Sequence, residues 1–169
     1  MNFKSIIVGG TALLSMVTGL GFSVASDVDK KLIERGRYLI VISGCNDCHT
    51  PGYAESGGKT PEAEWLTGNA VGFQGPWGTT YPANLRITLN DISEKQWLQK
   101  AHKPLRPPMP WFNLSQMSDK DLRAIYHFVR SLKPAGKAAP AYVPPGQAAN
   151  TPFIEFVPKN LPVTAKVGK

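Results

Sequence analysis

The chain contains two cysteines, and they lie three positions apart with a histidine directly after the second: Cys45-Asn46-Asp47-Cys48-His49. Side chains at i, i+3 and i+4 project from one face of a helical turn, so both sulfurs and the imidazole share a direction. One ligand suits that arrangement best. The thiols add to the two vinyl groups along one edge of a haem while the imidazole binds the iron, and C-x-x-C-H is the attachment signature of c-type haem. Three other readings compete. A redox dithiol of the thioredoxin kind belongs in a βαβ context, and no such pattern surrounds the motif. A zinc site needs a fourth donor that nothing nearby supplies at zinc-like spacing. The last is a chance pair of buried cysteines beside a surface histidine.

A length of 169 residues fits one domain with some excess. Lys4, the apolar run from Ile6 to Val17 and the small residues Ser23-Val24-Ala25 read as a secretory leader over residues 1–25, cut before Ser26. An uncleaved anchor is the alternative, because Ile6 to Ala25 is about the length of a membrane span. No other stretch is apolar enough to cross, so the mature chain is expected to be soluble, without a membrane span, and periplasmic. With both sulfurs held as thioethers, no structural disulfide remains to brace the fold. The haem itself must then contribute apolar surface to a small core.

The formal net charge is +7, and loss of the leader removes Lys4 and no acid. Nine basic residues lie between Lys95 and Lys137, against only Asp119 and Asp121. They form either a solvated surface kept for solubility or a docking face for an acidic redox partner. Nucleic acid is not expected as a partner of an exported haem protein.

Residues Asp27 to Ile42 read as the first helix, with Asp27 as cap and Asp29 in the first turn. Leu32, Ile33, Leu39 and Ile40 recur on one side at spacings of three and four, together with Gly36. Glycine costs about 1 kcal/mol relative to Ala in a helix interior, a cost retained where another helix crosses closely. The expected partner runs from Ser118 to Leu132. There Ser118 and Asp121 suggest a capping box, and Leu122, Ile125, Tyr126, Val129 and Leu132 make an apolar stripe. Ile125 or Tyr126 is expected to meet Gly36. A shorter helix opens at Ser93, with Gln96 three residues on, and ends before Pro104.

Between these helices, Tyr53 to Ala83 reads as a long loop wrapped round the haem rim, with Trp65, Phe73, Trp77 and Tyr81 covering it. Pro51 stops the helical turn, and its carbonyl is expected to accept a hydrogen bond from the second ring nitrogen of His49. Met109 stands among Pro107, Pro108 and Pro110, a stiff frame that would present its thioether as the second iron ligand. Met117, without that frame, and His102, in the last turn of a basic helix, are the alternatives. The domain is expected to span residues 26–134. After Pro134 six further prolines mark an extended tail over 135–169, either disordered or docked as a strap through Phe153, Ile154, Phe156 and Val157.

Gly36-Arg37-Tyr38-Leu39, the C-x-x-C-H motif, Met109-Pro110 and Ser118-x-x-Asp121-Leu122 leading to Tyr126 are the residues by which this chain, over Asp27 to Leu132, resembles class I cytochromes c. The resemblance implies an all-α fold whose first and last helices cross near the edge of one covalently bound haem c, with His49 and Met109 as axial ligands. Gly75-Pro76-Trp77-Gly78-Thr79, Ala83-Asn84-Leu85 and Pro108-Met109-Pro110-Trp111 are similar to single modules of the cytochrome subunits that serve periplasmic dehydrogenases. That subgroup implies Trp77 and Asn84 near the haem propionates. Its members carry several C-x-x-C-H copies where this chain carries one, and the proline-rich tail lies outside the pattern.

Two functions follow. One is a one-electron carrier between a periplasmic dehydrogenase and a terminal oxidase, or a fixed subunit of such a dehydrogenase with the tail as its strap. The other is a haem enzyme or gas-binding sensor whose sixth iron position is open or easily vacated, although no acid–base pair is evident for it.

Overall fold

The computed structural model describes residues 21–160, with side chains from Asp29 onward. Apart from a stretch of helical backbone, the leader expected over residues 1–25 therefore lies outside the described residues, as does the end of the tail beyond Asn160. That backbone brings one correction. The first helix, α1, is continuous over Gly21–Ile42, so Asp27 lies within it and does not cap its start.

Helix α1 packs chiefly against the last helix, α6 (Asp119–Ser131). Gly36 is buried at their crossing, and a Cβ built on it would stand 2.0 Å from the carbonyl oxygen of Ala124 and 2.6 Å from the Cβ of Phe128. Backbone meets backbone there, which only a glycine allows. The residue at the crossing is thus Ala124, where Ile125 or Tyr126 was expected. A small side chain sits at the close approach, and the larger neighbours turn aside. Ile125 faces the cavity described below, and the Tyr126 hydroxyl donates to the Ile92 carbonyl at 2.9 Å.

Charges reinforce the helix pair at its edge. Arg35 Nε donates to Asp121 Oδ1 at 3.0 Å. Ser118 caps α6 by accepting the Asp121 N–H at 3.2 Å. The reciprocal half of the expected capping box is missing, because the Asp121 carboxylate is taken up by the Ser118 hydroxyl and by Arg35. In α4 (Glu94–Ala101) the box of Ser93 and Gln96 is complete. The buried Trp97 of α4 donates its indole N–H to the Leu122 carbonyl at 2.8 Å, which seats α4 on α6.

Arg86, in the short helix α3 (Leu85–Thr88), carries weight that nothing in its local sequence suggests. It is buried, and its guanidinium donates to the carbonyls of Ala63 and Lys133, each at 2.6 Å, and to that of Leu132. A cation thereby closes the C-terminal end of α6, where the helix dipole favours positive charge.

The fold is not wholly helical. β1 (Gly72–Gly75) and β2 (Gly78–Thr80) form an antiparallel hairpin across Pro76-Trp77, with Gly75 opposite Gly78. A strand from the tail, β3 (Phe153–Glu155), adds to β1 in parallel, giving the order β2-β1-β3. The expectation of an all-α protein therefore holds for the helical core and fails for the loop region and the tail. As far as Asn160 the tail lies along the domain, but backbone pairing holds it: the side chains of Phe153, Ile154, Phe156 and Val157, expected to dock it, stay largely exposed. Thr79 and Val143 exchange backbone hydrogen bonds at 2.8 and 3.0 Å, and the Phe156 ring packs on Phe73 with centroids 5.6 Å apart. Among the described residues no helix is long and apolar enough to cross a membrane.

The Gly36 crossing sets two effects of opposite sign against each other. Alanine is the better helix former by about 1 kcal/mol, but its methyl would meet a backbone carbonyl that cannot swing away. Gly36→Ala is expected to lower stability by up to about 2 kcal/mol net in urea unfolding; a gain would show that the helices separate freely. A second prediction concerns acid. The Arg35 hydrogen bond holds the Asp121 carboxyl below its ordinary 3.8, so its contribution is complete above that value and is lost as pH falls through the lowered one. Arg35→Gln should flatten that acid limb of the stability profile by less than about 1 kcal/mol, since the pair is partly exposed.

Candidate haem site

The C-x-x-C-H motif forms its own helical turn, α2 (Cys45–His49). Gly44 breaks α1 from α2 with a left-handed φ of 67°. Beyond the motif Thr50 turns the chain to an extended conformation. Its buried hydroxyl donates to Asn46 Oδ1 and accepts the Leu66 N–H, each at 2.8 Å. The turn is thus tied at its start to α1 and at its end to a segment sixteen residues on. Cys45, Cys48 and His49 all line one cavity, as the helical spacing requires.

His49 Nδ1 lies 2.7 Å from the carbonyl oxygen of Ala83. A carbonyl only accepts, so Nδ1 carries the proton and Nε2 keeps its lone pair for a metal. Burial pushes the imidazole below its ordinary pKa, against the upward pull of that hydrogen bond, and so favours the neutral ring a metal needs. The expected partner was the Pro51 carbonyl; Pro51 instead sits exposed on the outer side of the turn. Ala83 reaches the ring because Gly68, at φ 79°, lets a second segment pass within contact. A Cβ on Gly68 would lie 2.7 Å from the Asn84 nitrogen, and the Gly68 N–H donates to the His49 carbonyl at 2.8 Å.

Met109 lines the same cavity as the motif. Its loop, between α4 and α5 (Trp111–Ser115), is pinned from outside. The Thr80 hydroxyl donates to the Pro107 carbonyl at 2.7 Å, and the Trp111 N–H to the Met109 carbonyl at 2.8 Å. The alternative ligands are elsewhere. His102 is exposed and bonded to the Ser115 carbonyl and to Asp119; Met117 packs at the edge of the hydrophobic core.

The cavity holds about 420 Å³, within the range of cofactor sites. Ile40, Leu85, Leu89, Trp97, Leu114 and Ile125 give it apolar walls. Lys100 and Arg106 are its charged members, and no carboxylate lies on it. An apolar macrocycle bearing carboxylates is the kind of group these walls accept, with one nitrogen and one thioether sulfur as donors. The thiols are poorly suited to redox cycling. Burial, aided by Asp47, pushes Cys45 up to about 12, and the same causes raise Cys48. Redox dithiols are shifted the other way.

Trp77, Asn84 and Trp65, all expected beside the haem, are not on the wall. Trp77 donates its indole N–H to the Phe73 carbonyl at 3.3 Å and packs beside Phe156. Asn84 caps α3 through Oδ1, and its amide group donates to the carbonyls of Ala135 and Lys137 at 2.7 and 3.1 Å. Every polar group of that side chain is committed to the fold. Trp65 joins the helical core, stacking edge-on to Phe128. Phe73 and Tyr81 do line the cavity, and the tail adds Pro140 and Tyr142, which sequence reasoning did not single out. A lone tyrosine among prolines was the available signal.

Comparison with known proteins agrees with this geometry. The family model described as Cytochrome c matches residues 33–133. The chain is 30% identical over 131 residues, 70% of its length, to the cytochrome c subunit of the quinone alcohol dehydrogenase of Gluconobacter oxydans (strain 621H). It is 26% identical over 138 residues, 75% of its length, to the corresponding subunit from Gluconacetobacter polyoxogenes. A match at 24% identity over 121 residues, 65% of the chain, is to one of the subunits of a nicotinate dehydrogenase from Pseudomonas putida. The chain spans about a quarter of the length of the first two relatives (25% and 27%) and 9% of the third. No solved structure matches it. With a nitrogen donor, a thioether and two thiols around one apolar cavity, and with this match over most of the chain, the protein belongs to the cytochrome c family, electron-transfer proteins with covalently attached haem c.

Proposed function

We propose that this protein is a periplasmic one-electron carrier serving a dehydrogenase, as its acceptor or as one of its subunits. The observation that carries the reading is the meeting of His49 and Met109 on the cavity that holds Cys45 and Cys48. Haem c supplies a single-electron iron couple when bound. The polypeptide does the rest. Cys45 and Cys48 anchor the group as thioethers. His49, its tautomer set by Ala83, offers Nε2 as one axial ligand. Met109 offers a soft thioether as the other, which favours the reduced state and raises the potential. With both donors supplied by the protein, no site on the iron would be left for substrate, and little rearrangement would accompany a change of charge.

The dehydrogenase partner is inferred from relatives whose names describe dehydrogenase subunits. The leader over residues 1–25, cleaved before Ser26, is the route of export in this reading. The partner's docking surface is acidic. Lys95, Lys100, Lys103, Lys120, Lys133 and Lys137 are exposed and make no ion pair among the described residues. Lys100 also stands on the cavity wall, which brings that charge to the electron-transfer centre. A terminal oxidase is the natural acceptor on the other side.

Met109→Ala should abolish the methionine-to-iron charge-transfer absorbance of the oxidised protein and open the reduced form to carbon monoxide. A wild type that already binds carbon monoxide freely at neutral pH would replace the carrier with a haem enzyme or gas sensor. Docking is tested separately, by electron transfer from a candidate dehydrogenase over rising salt. The rate should fall steeply between low and physiological ionic strength, and Lys100→Glu with Lys103→Glu should slow it at low salt; a flat response rules out the acidic partner.

A further inference from the structure

Part of the cavity wall comes from outside the cytochrome c match. The match ends at residue 133, yet Pro140 and Tyr142, on the docked tail, line the same cavity as Met109. Tyr142 is held in place from two directions. Its hydroxyl donates to the Trp77 carbonyl at 2.7 Å, and the next residue, Val143, is bonded both ways to Thr79. Gly78 makes room for this docking, since a Cβ there would fall 2.3 Å from the Val143 carbonyl oxygen.

The ring so fixed carries a load. The Arg106 guanidinium carbon lies 4.1 Å from its centroid, the closest cation–ring contact among the described residues. Arg106 makes no ion pair among the described residues, so on the protein side the ring is the contact that orders its charge. It also opens the stretch Arg106-Pro107-Pro108-Met109-Pro110, whose next carbonyl, that of Pro107, is gripped by Thr80 of β2. Hairpin and tail thus clamp the loop just ahead of the methionine. A thioether is a weak donor, and it stays on a metal only while its loop has nowhere else to go.

We propose that Tyr142 is a positioning residue for Met109: by stacking under Arg106 it latches the methionine loop to the hairpin and keeps the thioether in place. This rests on the reading of Met109 as an axial ligand. The tail is then part of the redox centre, setting how firmly the sixth position is closed.

The test uses the full-length, haem-loaded protein. In Tyr142→Leu, carbon monoxide should bind the reduced form about two- to fivefold faster, the scale of one lost cation–ring contact to an exposed guanidinium. The charge-transfer absorbance of the oxidised form should fade at a lower temperature than the helical circular dichroism. Tyr142→Phe keeps the ring and should rescue most of both. Arg106→Leu should match Tyr142→Leu, and the double variant should be no worse than either single one, because both sever the same latch. Unchanged carbon monoxide kinetics and absorbance in folded Tyr142→Leu, or simple additivity in the double variant, would overturn the proposal. Should Tyr142→Leu fail to fold, wild-type kinetics in Arg106→Leu overturn it equally. The two readings fail differently. If the wild type lacks the absorbance and Met109→Ala changes nothing, the ligand assignment falls and the latch with it. If Met109→Ala abolishes the absorbance while the Tyr142 and Arg106 variants leave it intact, the latch alone falls.

Discussion

Two helices in backbone contact at one glycine set the frame of this cytochrome. With Gly36 against Ala124, α1 and α6 lie as close as polypeptide chains can. Ile40, one turn beyond Gly36, is then fully buried and becomes wall of the haem cavity, as does Ile125 beside Ala124. The crossing also decides where α1 ends. Six residues after the glycine the helix stops at Ile42, and the left-handed turn at Gly44 starts the attachment motif. The position of the thiols therefore follows from a packing contact that neither cysteine touches.

The second organising element is the segment from Thr80 to Ala83. It has little regular structure, yet it serves both candidate axial ligands. Thr80 holds the Pro107 carbonyl in the methionine loop, and Ala83 holds the ring of His49. Phe73 and Tyr81 add apolar wall from the same neighbourhood. A rigid redox site needs its ligands fixed relative to each other, because movement between oxidation states is energy lost to each transfer. Two hydrogen bonds from one short stretch give that mutual reference.

What was legible in the sequence was local. The spacing of Cys45, Cys48 and His49 announces a shared face, the proline frame singles out Met109, and Ser93 with Gln96 marks a helix start that the structure reproduces in full. Gly36 announced a close crossing, although its partner is Ala124, just before the expected Ile125 and Tyr126. The misses are long-range. The carbonyl that orients His49 comes from 34 residues on, and the carbonyls that occupy Asn84 from more than 50. Backbone carbonyls belong to every residue, so no residue type marks Ala83 for its role. The hairpin was missed because its strands run to four and three residues, too short for alternation to show. Nothing in the residues around Arg86 marks it as the cation on which the end of α6 rests.

The cavity wall is drawn from residues as far apart in the chain as Ile40 and Tyr142. That has a consequence for the order of assembly. As the polypeptide emerges from its N-terminus, the attachment cysteines are available long before the tail exists, so the cofactor can be stitched in while one side of its berth still stands open. Closure comes last, when a strand some eighty residues downstream pairs with β1, and distant pairings of that kind are the slow ones. The fold thus allows loading to come before sealing.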